Sequence, residues 1–127
     1  MNNNRVAWAR AKYDSAIDGA AVGAHTLRGD AIPKGAIILD TLIRVTTIAD
    51  STNHTATIAL KAESGADLAT AAAVSGAPWS TATAKRGTLT ATTAPVATTA
   101  RRQITATVAV EALTAGRFTV FVRYLKP

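Results

Sequence analysis

His25 and His54 are the only imidazoles in the chain, and neither has a second histidine nearby in sequence. A metal centre needs several imidazole, thiolate or carboxylate donors converging on one point. There is no cysteine to supplement them, so thiolate ligation, thiol nucleophilicity and a disulfide framework are excluded. No metal and no cofactor are expected. Serine chemistry would need a hydroxyl, a base and an orienting acid. Ser15, Ser51, Ser64, Ser75 and Ser80 are available, but none sits in a G-x-S-x-G elbow. Asp14 and Asp18 bracket a turn before Gly19, yet Ser15, Ala16 and Ile17 between them lack the alternating oxygen ligands of a calcium loop. The segment Gly19-Ala20-Ala21-Val22-Gly23 has no following lysine and hydroxyl to cradle a phosphate. Arg28-Gly29-Asp30 and Asn53-His54-Thr55 match an adhesion tripeptide and a glycosylation sequon, but three-letter matches arise often by chance. The expectation is a protein that is not an enzyme, with no catalytic residue assigned.

Charge is the remaining chemical resource. Fourteen Lys and Arg stand against eight Asp and Glu, a net charge of +6. Such a surplus suits nucleic acid or any acidic protein surface. Arg5, Arg10 and Lys12 come with no acid among residues 1–12, so half of the surplus lies on a basic amino-terminal arm or first strand, and the rest reads as scattered. Scattered charge makes no groove, and the aromatic residues are explained by strand packing. Nucleic acid is therefore disfavoured against an acidic protein partner.

The elements that must carry these residues are strands. Aromatics are only 5 % of the chain while Ala, Thr and Val abound, which favours a sheet core of small and β-branched side chains. The length suits one domain, taken as residues 13–127 behind the arm. The run 31–48 is the clearest feature: Pro33-Lys34-Gly35 makes a turn, and a long strand follows over 37–48. Its odd positions, from Ile37 to Thr47, form one apolar face. The even positions put Ile38, Leu42 and Ile48 beside Asp40 and Arg44 on the other, which is too apolar for an ordinary solvent face and calls for cover either by another layer of the same chain or, through self-association, by a neighbouring subunit.

Further strands are expected over 6–13, 22–28, 55–62, 88–93, 104–110 and 117–125, with the last two forming a hairpin. In the strand 6–13, Val6, Trp8, Arg10 and Lys12 share one face and small residues the other. Even positions Ile104 to Val110 point inward, and outward Phe121 and Leu125 extend the self-association surface. Ser64-Gly65-Ala66-Asp67 has the spacing of a helix start and predicts a short helix over 68–74. Trp79, after Pro78, is expected to plug one end of the fold. No run approaches the ~18 apolar residues of a membrane span, so no membrane partner is expected. The fold class expected is all-β: an antiparallel two-sheet β-sandwich of jelly-roll type with one short helix, ahead of an immunoglobulin-like sandwich.

Several segments together resemble a group of small virion proteins of tailed bacteriophages. They are Tyr13-Asp14 leading to 19–23, Ile32-Pro33-Lys34-Gly35-Ala36-Ile37, Ala56-Thr57-Ile58-Ala59-Leu60 with Ala66-Asp67-Leu68, Pro78-Trp79, and 110–116 running into Val120-Phe121-Val122. These motifs form folds and carry no catalytic signature. The resemblance implies a capsid decoration or head-stabilising protein on the capsid surface of the virion, made in the host cytoplasm. Proteins of that group commonly form jelly-roll trimers that clamp major capsid protein subunits. Arg5, Trp8, Arg10 and Lys12 would then meet the capsid, and Ile38, Leu42, Ile48, Phe121 and Leu125 would hold the homotrimer together. A carbohydrate-binding or adhesive module on the same virion, using Trp8 or Trp79, is the alternative.

Overall fold

The computed structural model describes residues 5–87 and 95–127; the strand expected over 88–93 lies outside them. Eight strands form one antiparallel sheet: β1 (Val6–Asp14), β2 (Gly23–Ile32), β3 (Ile37–Ser51), β4 (Thr57–Lys61), β5 (Ala69–Ala73), β6 (Ala84–Arg86), β7 (Arg102–Ala109) and β8 (Leu113–Leu125). Their order across the sheet is β5-β4-β7-β2-β1-β8-β3-β6. The helix is a single turn, α1 (Ser15–Asp18), capped by the Asp14 carboxylate accepting from Ala16 N at 2.9 Å. Among the described residues no helix is long and apolar enough to cross a membrane.

The two sheets expected from the sequence are hydrogen-bonded into one. β1 pairs with β8 along its whole length but with β2 only through Ala11 opposite Gly29 and Lys12 opposite Arg28. At this narrow seam the sheet curls into a half-barrel. Gly29 allows the bend: a Cβ there would lie 2.3 Å from Arg10 O, and its φ of +141° is one that side chains avoid. The inner faces of both halves then share one core, with Ala9, Ala11 and Tyr13 from β1, Phe118, Val120 and Val122 from β8, and Ile58, Leu60, Ile104 and Val108 from across the seam. Trp79 closes it as expected, fully buried with its ring 4.7 Å from that of Phe118.

Four expectations are corrected. The helix over 68–74 is instead the edge strand β5. Asp67 does not start a helix; its carboxylate accepts from Ala62 N, Glu63 N and Ser64 N at 2.7–3.0 Å, folding the chain back so that Leu68 N reaches Leu60 O. Pairing and burial of Leu68 and Ala69 outweigh the helical propensity of alanine. The hairpin expected of the last two strands does not form, because β1 and β3 occupy both sides of β8 while β7 lies between β2 and β4. Val110, expected to point inward, sits between them with φ +74° and is 70 % exposed.

The fourth concerns the long strand. Its register against β8 slips between Ile38 and Asp40, between Val45 and Thr47, and again before Asp50. Each slip inserts one residue and reverses which parity points inward. Ile38 is consequently buried, at 3 % exposure, and belongs to the core, while Thr41, Ile43 and Val45 face inward beyond the first bulge. Residues 46–48 swing outward together, leaving Ile48 exposed.

Candidate functional site

The groups best suited to catalysis are engaged in holding loops. His25 hydrogen-bonds Ala21 O through Nε2 at 2.7 Å and lies against Tyr13. Tyr13 donates its hydroxyl to Gly19 O at 2.5 Å, and burial first, then Asp18 and Asp14, pushes its pKa up to about 12. His54 Nδ1 meets Asp50 Oδ1 at 2.5 Å on the exposed β3–β4 loop; that hydrogen bond raises the imidazole pKa and lowers the carboxyl. The neighbouring Ser51 hydroxyl is buried and accepts from Ala56 N, so it is no free nucleophile for this pair. Glu111 clamps the same loop, accepting from Asn53 N at 3.0 Å and Asn53 Nδ2 at 2.7 Å. The Ser51 hydroxyl foremost, then Asn53 N–H, holds its pKa down to about 2. Among the described residues no three His, Cys, Asp or Glu side chains gather as a metal set.

What the fold does assemble is a surface. Residues opposite one another in an antiparallel pair project from the same face. Since Ala9, Ala11 and Tyr13 point into the core, the alternate residues of β1 point outward, and the register extends them into rows across β8, β3 and β6. Val6 aligns with Leu125 and Ile37. Trp8 aligns with Arg123 and Asp40. Arg10 aligns with Phe121, Leu42 and Arg86, and Lys12 aligns with Thr119, Arg44 and Ala84. Asp14 stands beside Arg117 at the far end. Across the seam, Arg28 joins Lys12, and a depression of about 560 Å³ opens between Arg10, Lys12, Arg28, Gly29 and Asp30.

Acids neutralise part of this face. Arg28 pairs with Asp18 at 2.7 Å, Arg86 with Asp40 at 2.7 Å and Arg117 with Asp14 at 3.5 Å. Arg10, Lys12, Arg44 and Arg123 form no ion pair among the described residues. Trp8 stands among them 52 % exposed, with Phe121 half-buried in the next row. The outer face of the other half is different in kind. Its rows, Ala24 with Thr107 and Ala59, then Thr26 with Thr105 and Lys61, are small and nearly uncharged. Seven of the fourteen cations, Arg10, Lys12, Arg28, Arg44, Arg86, Arg117 and Arg123, thus lie on or beside this one face.

The residues expected from the sequence separate accordingly. Trp8, Arg10 and Lys12 are brought together, while exposed Arg5 lies just before the strand, its carbonyl bonded to Lys126 N. Leu42 and Phe121 lie opposite each other inside the cationic face, Leu125 lies half-buried at its apolar end, and Ile38 and Ile48 lie outside its rows. Arg28, Arg44, Arg117 and Arg123 were not expected there. Arg117 and Arg123 share the parity of Phe121 along β8, but only the pairing of β8 with β1 and β3 joins them to Arg10 and Arg44. Trp79, buried, is not available to stack on a sugar.

No protein-family profile and no curated protein matches the chain. Solved structures do. One is a chain of the cyanophage Pam1 capsid asymmetric unit, 24 % identical, covering 96 % of this chain and 85 % of its own, with a TM-score of 0.64. A second comes from the capsid of Ralstonia phage GP4, 14 % identical, covering 100 % of this chain and 89 % of its own, TM-score 0.68. The third is from the acid-stable capsid of the Helicobacter pylori bacteriophage KHP30, 14 % identical, covering 96 % and 88 %, TM-score 0.63. At these identities the likeness is one of fold, and it spans essentially the whole half-barrel.

Proposed function

We propose that this chain is a bacteriophage virion structural protein that decorates the capsid and stabilises it by bridging major capsid protein subunits as a homotrimer. The observation that carries this reading is the end-to-end likeness in fold to chains from three phage capsid structures. The sheet surface supports it: one face combines unpaired cations with an exposed tryptophan, a composition suited to docking. The role requires no enzymatic chemistry. The jelly-roll designation of the group it resembles would describe the two strand halves that meet at the narrow β1–β2 seam.

Trimer formation multiplies weak contacts. The outward rows span roughly 15 Å by 26 Å at ~4.8 Å per strand and ~3.3 Å per residue. That is small beside the ~800 Å² per partner of a standard interface, so a single copy would dock weakly and three linked copies strongly. The test is light scattering of the purified protein together with its addition to shells of the same phage lacking it. A trimer mass and a rise in the temperature at which the shells rupture are expected. A monomer that leaves shell rupture unchanged would contradict the reading.

A further inference from the structure

We infer that the outer face of β1, β8 and β3 is a docking site for an acidic surface of a different protein, and that Leu42 and Phe121 serve this contact instead of self-association. The inference deepens the virion-protein reading and rests on it. Four cations on this face, Arg10, Lys12, Arg44 and Arg123, form no side-chain ion pair among the described residues, the Asp30 carboxylate accepting from the backbone N–H of Arg10, and they surround the hydrophobic pair Leu42 and Phe121. Trp8 projects beside Arg123 in the adjoining row.

Two alternative occupants fit less well. A second copy meeting this face with its own would set unpaired cations against unpaired cations, and the rows of Thr, Ala and Lys61 on the outer face of the other half hold no acid to receive them, Asp30 being at the seam, where it already accepts from Arg10 N. Single-stranded nucleic acid uses several aromatic platforms spaced for successive bases. Trp8 is the only strongly exposed Trp, Tyr or Phe ring among the described residues, since Tyr13, Trp79 and Phe118 are buried and Phe121 and Tyr124 are half-buried. The cations also favour protein: Lys12 is the one lysine in rows otherwise carrying Arg10, Arg44, Arg86, Arg117 and Arg123. Protein interfaces are enriched in arginine and aromatics and depleted in lysine, because the planar guanidinium grips carboxylates in a fixed geometry. An acidic patch would gain ion pairs with the free guanidinium groups while Trp8 and Phe121 bury against its apolar part.

The test is co-sedimentation with shells of the same phage lacking this protein, using the full chain, the double reversal Arg44→Glu/Arg123→Glu, and Lys61→Glu on the opposite face. Both reversed arginines are outside the ion pairs of the described residues, so neither change orphans a partner; thermal melting checks that each variant folds. Wild type and Lys61→Glu are expected to bind, with affinity falling as salt rises from 50 to about 500 mM. The double reversal is expected to bind at least tenfold more weakly. If the double reversal binds as wild type does, this face is not the docking site, although the virion role stands. If wild type fails to bind shells at all, that role itself fails and the docking proposal with it. A 30-nucleotide oligothymidine that binds wild type more tightly than the shells do, and is lost in the double reversal, would assign the face to nucleic acid and overturn the proposal.

Discussion

At the scale of single residues, the titratable groups act as loop fasteners, and their pKa shifts say when the fasteners open. Tyr13 has its pKa pushed up to about 12, so burial favours its neutral form. Its stabilising contribution is therefore complete below the ordinary value of 10.0 and is lost as pH rises from there towards 12. Wild type should lose thermal stability over that alkaline window. Tyr13→Phe, which lacks both the ionising hydroxyl and its bond to Gly19 O, should start about 1 kcal/mol less stable in urea denaturation and show a flatter alkaline limb. An equally steep limb in Tyr13→Phe would remove Tyr13 from the account.

Glu63 and Glu111 have the opposite sign. Both are held down to about 2, Glu63 foremost by Arg102 at 2.8 Å and Glu111 foremost by the Ser51 hydroxyl, so each stabilises the fold above 4.5 and loses that effect as pH falls towards 2. Melting temperatures should fall through this acid window. Glu111→Gln, which cannot ionise, should melt lower than wild type at neutral pH and converge with it near pH 2. A constant gap across the window would show that the Glu111 charge is not what fastens the 51–55 loop.

At the scale of elements, alternation in the sequence identified most of the strands and the inward residues of β1 and β4, because a period of two needs only local information. Ala9, Ala11, Tyr13, Ile58 and Leu60 are buried as that pattern requires. What it could not supply was pairing. The bulges that bury Ile38 are set by how β3 is stretched against β8, and β8 pairs with β1 across the sequence distance that separates Asp14 from Arg117 and Val6 from Leu125. Asp67 misled for a related reason: its bond to Ser64 N is one that a helix start would also make, but here the same carboxylate also takes the amides of Ala62 and Glu63 and turns the chain back. The cationic face was half legible. Trp8, Arg10 and Lys12 alternate visibly on one strand, but Arg44 and Arg123 join them only through tertiary register. The seam is the element whose disturbance should matter most. Gly29→Ala would drive a methyl group against Arg10 O and should cost on the order of 2 kcal/mol or more in denaturant unfolding, whereas Gly65→Ala, with open space around it, should cost about 1 kcal/mol from its backbone angle alone. Equal costs at the two sites would contradict the close approach at the seam.

At the scale of the whole molecule, curling one sheet on itself leaves two outer faces, and the chain has made them chemically unlike. Small threonine and alanine rows cover one half, while arginine, lysine and tryptophan cover the other. A protein docking on a larger neighbour gains a defined orientation from such segregation. The measurement that bears most directly on this account is an electron cryomicroscopy reconstruction of the virion that carries the chain. The account predicts the half-barrel on the outside of the shell, in three copies around a symmetry point, with Arg10, Arg44, Phe121 and Arg123 turned towards carboxylates of the capsid protein. A shell with no density for the chain, or one in which it sits with that face turned to solvent, would contradict it.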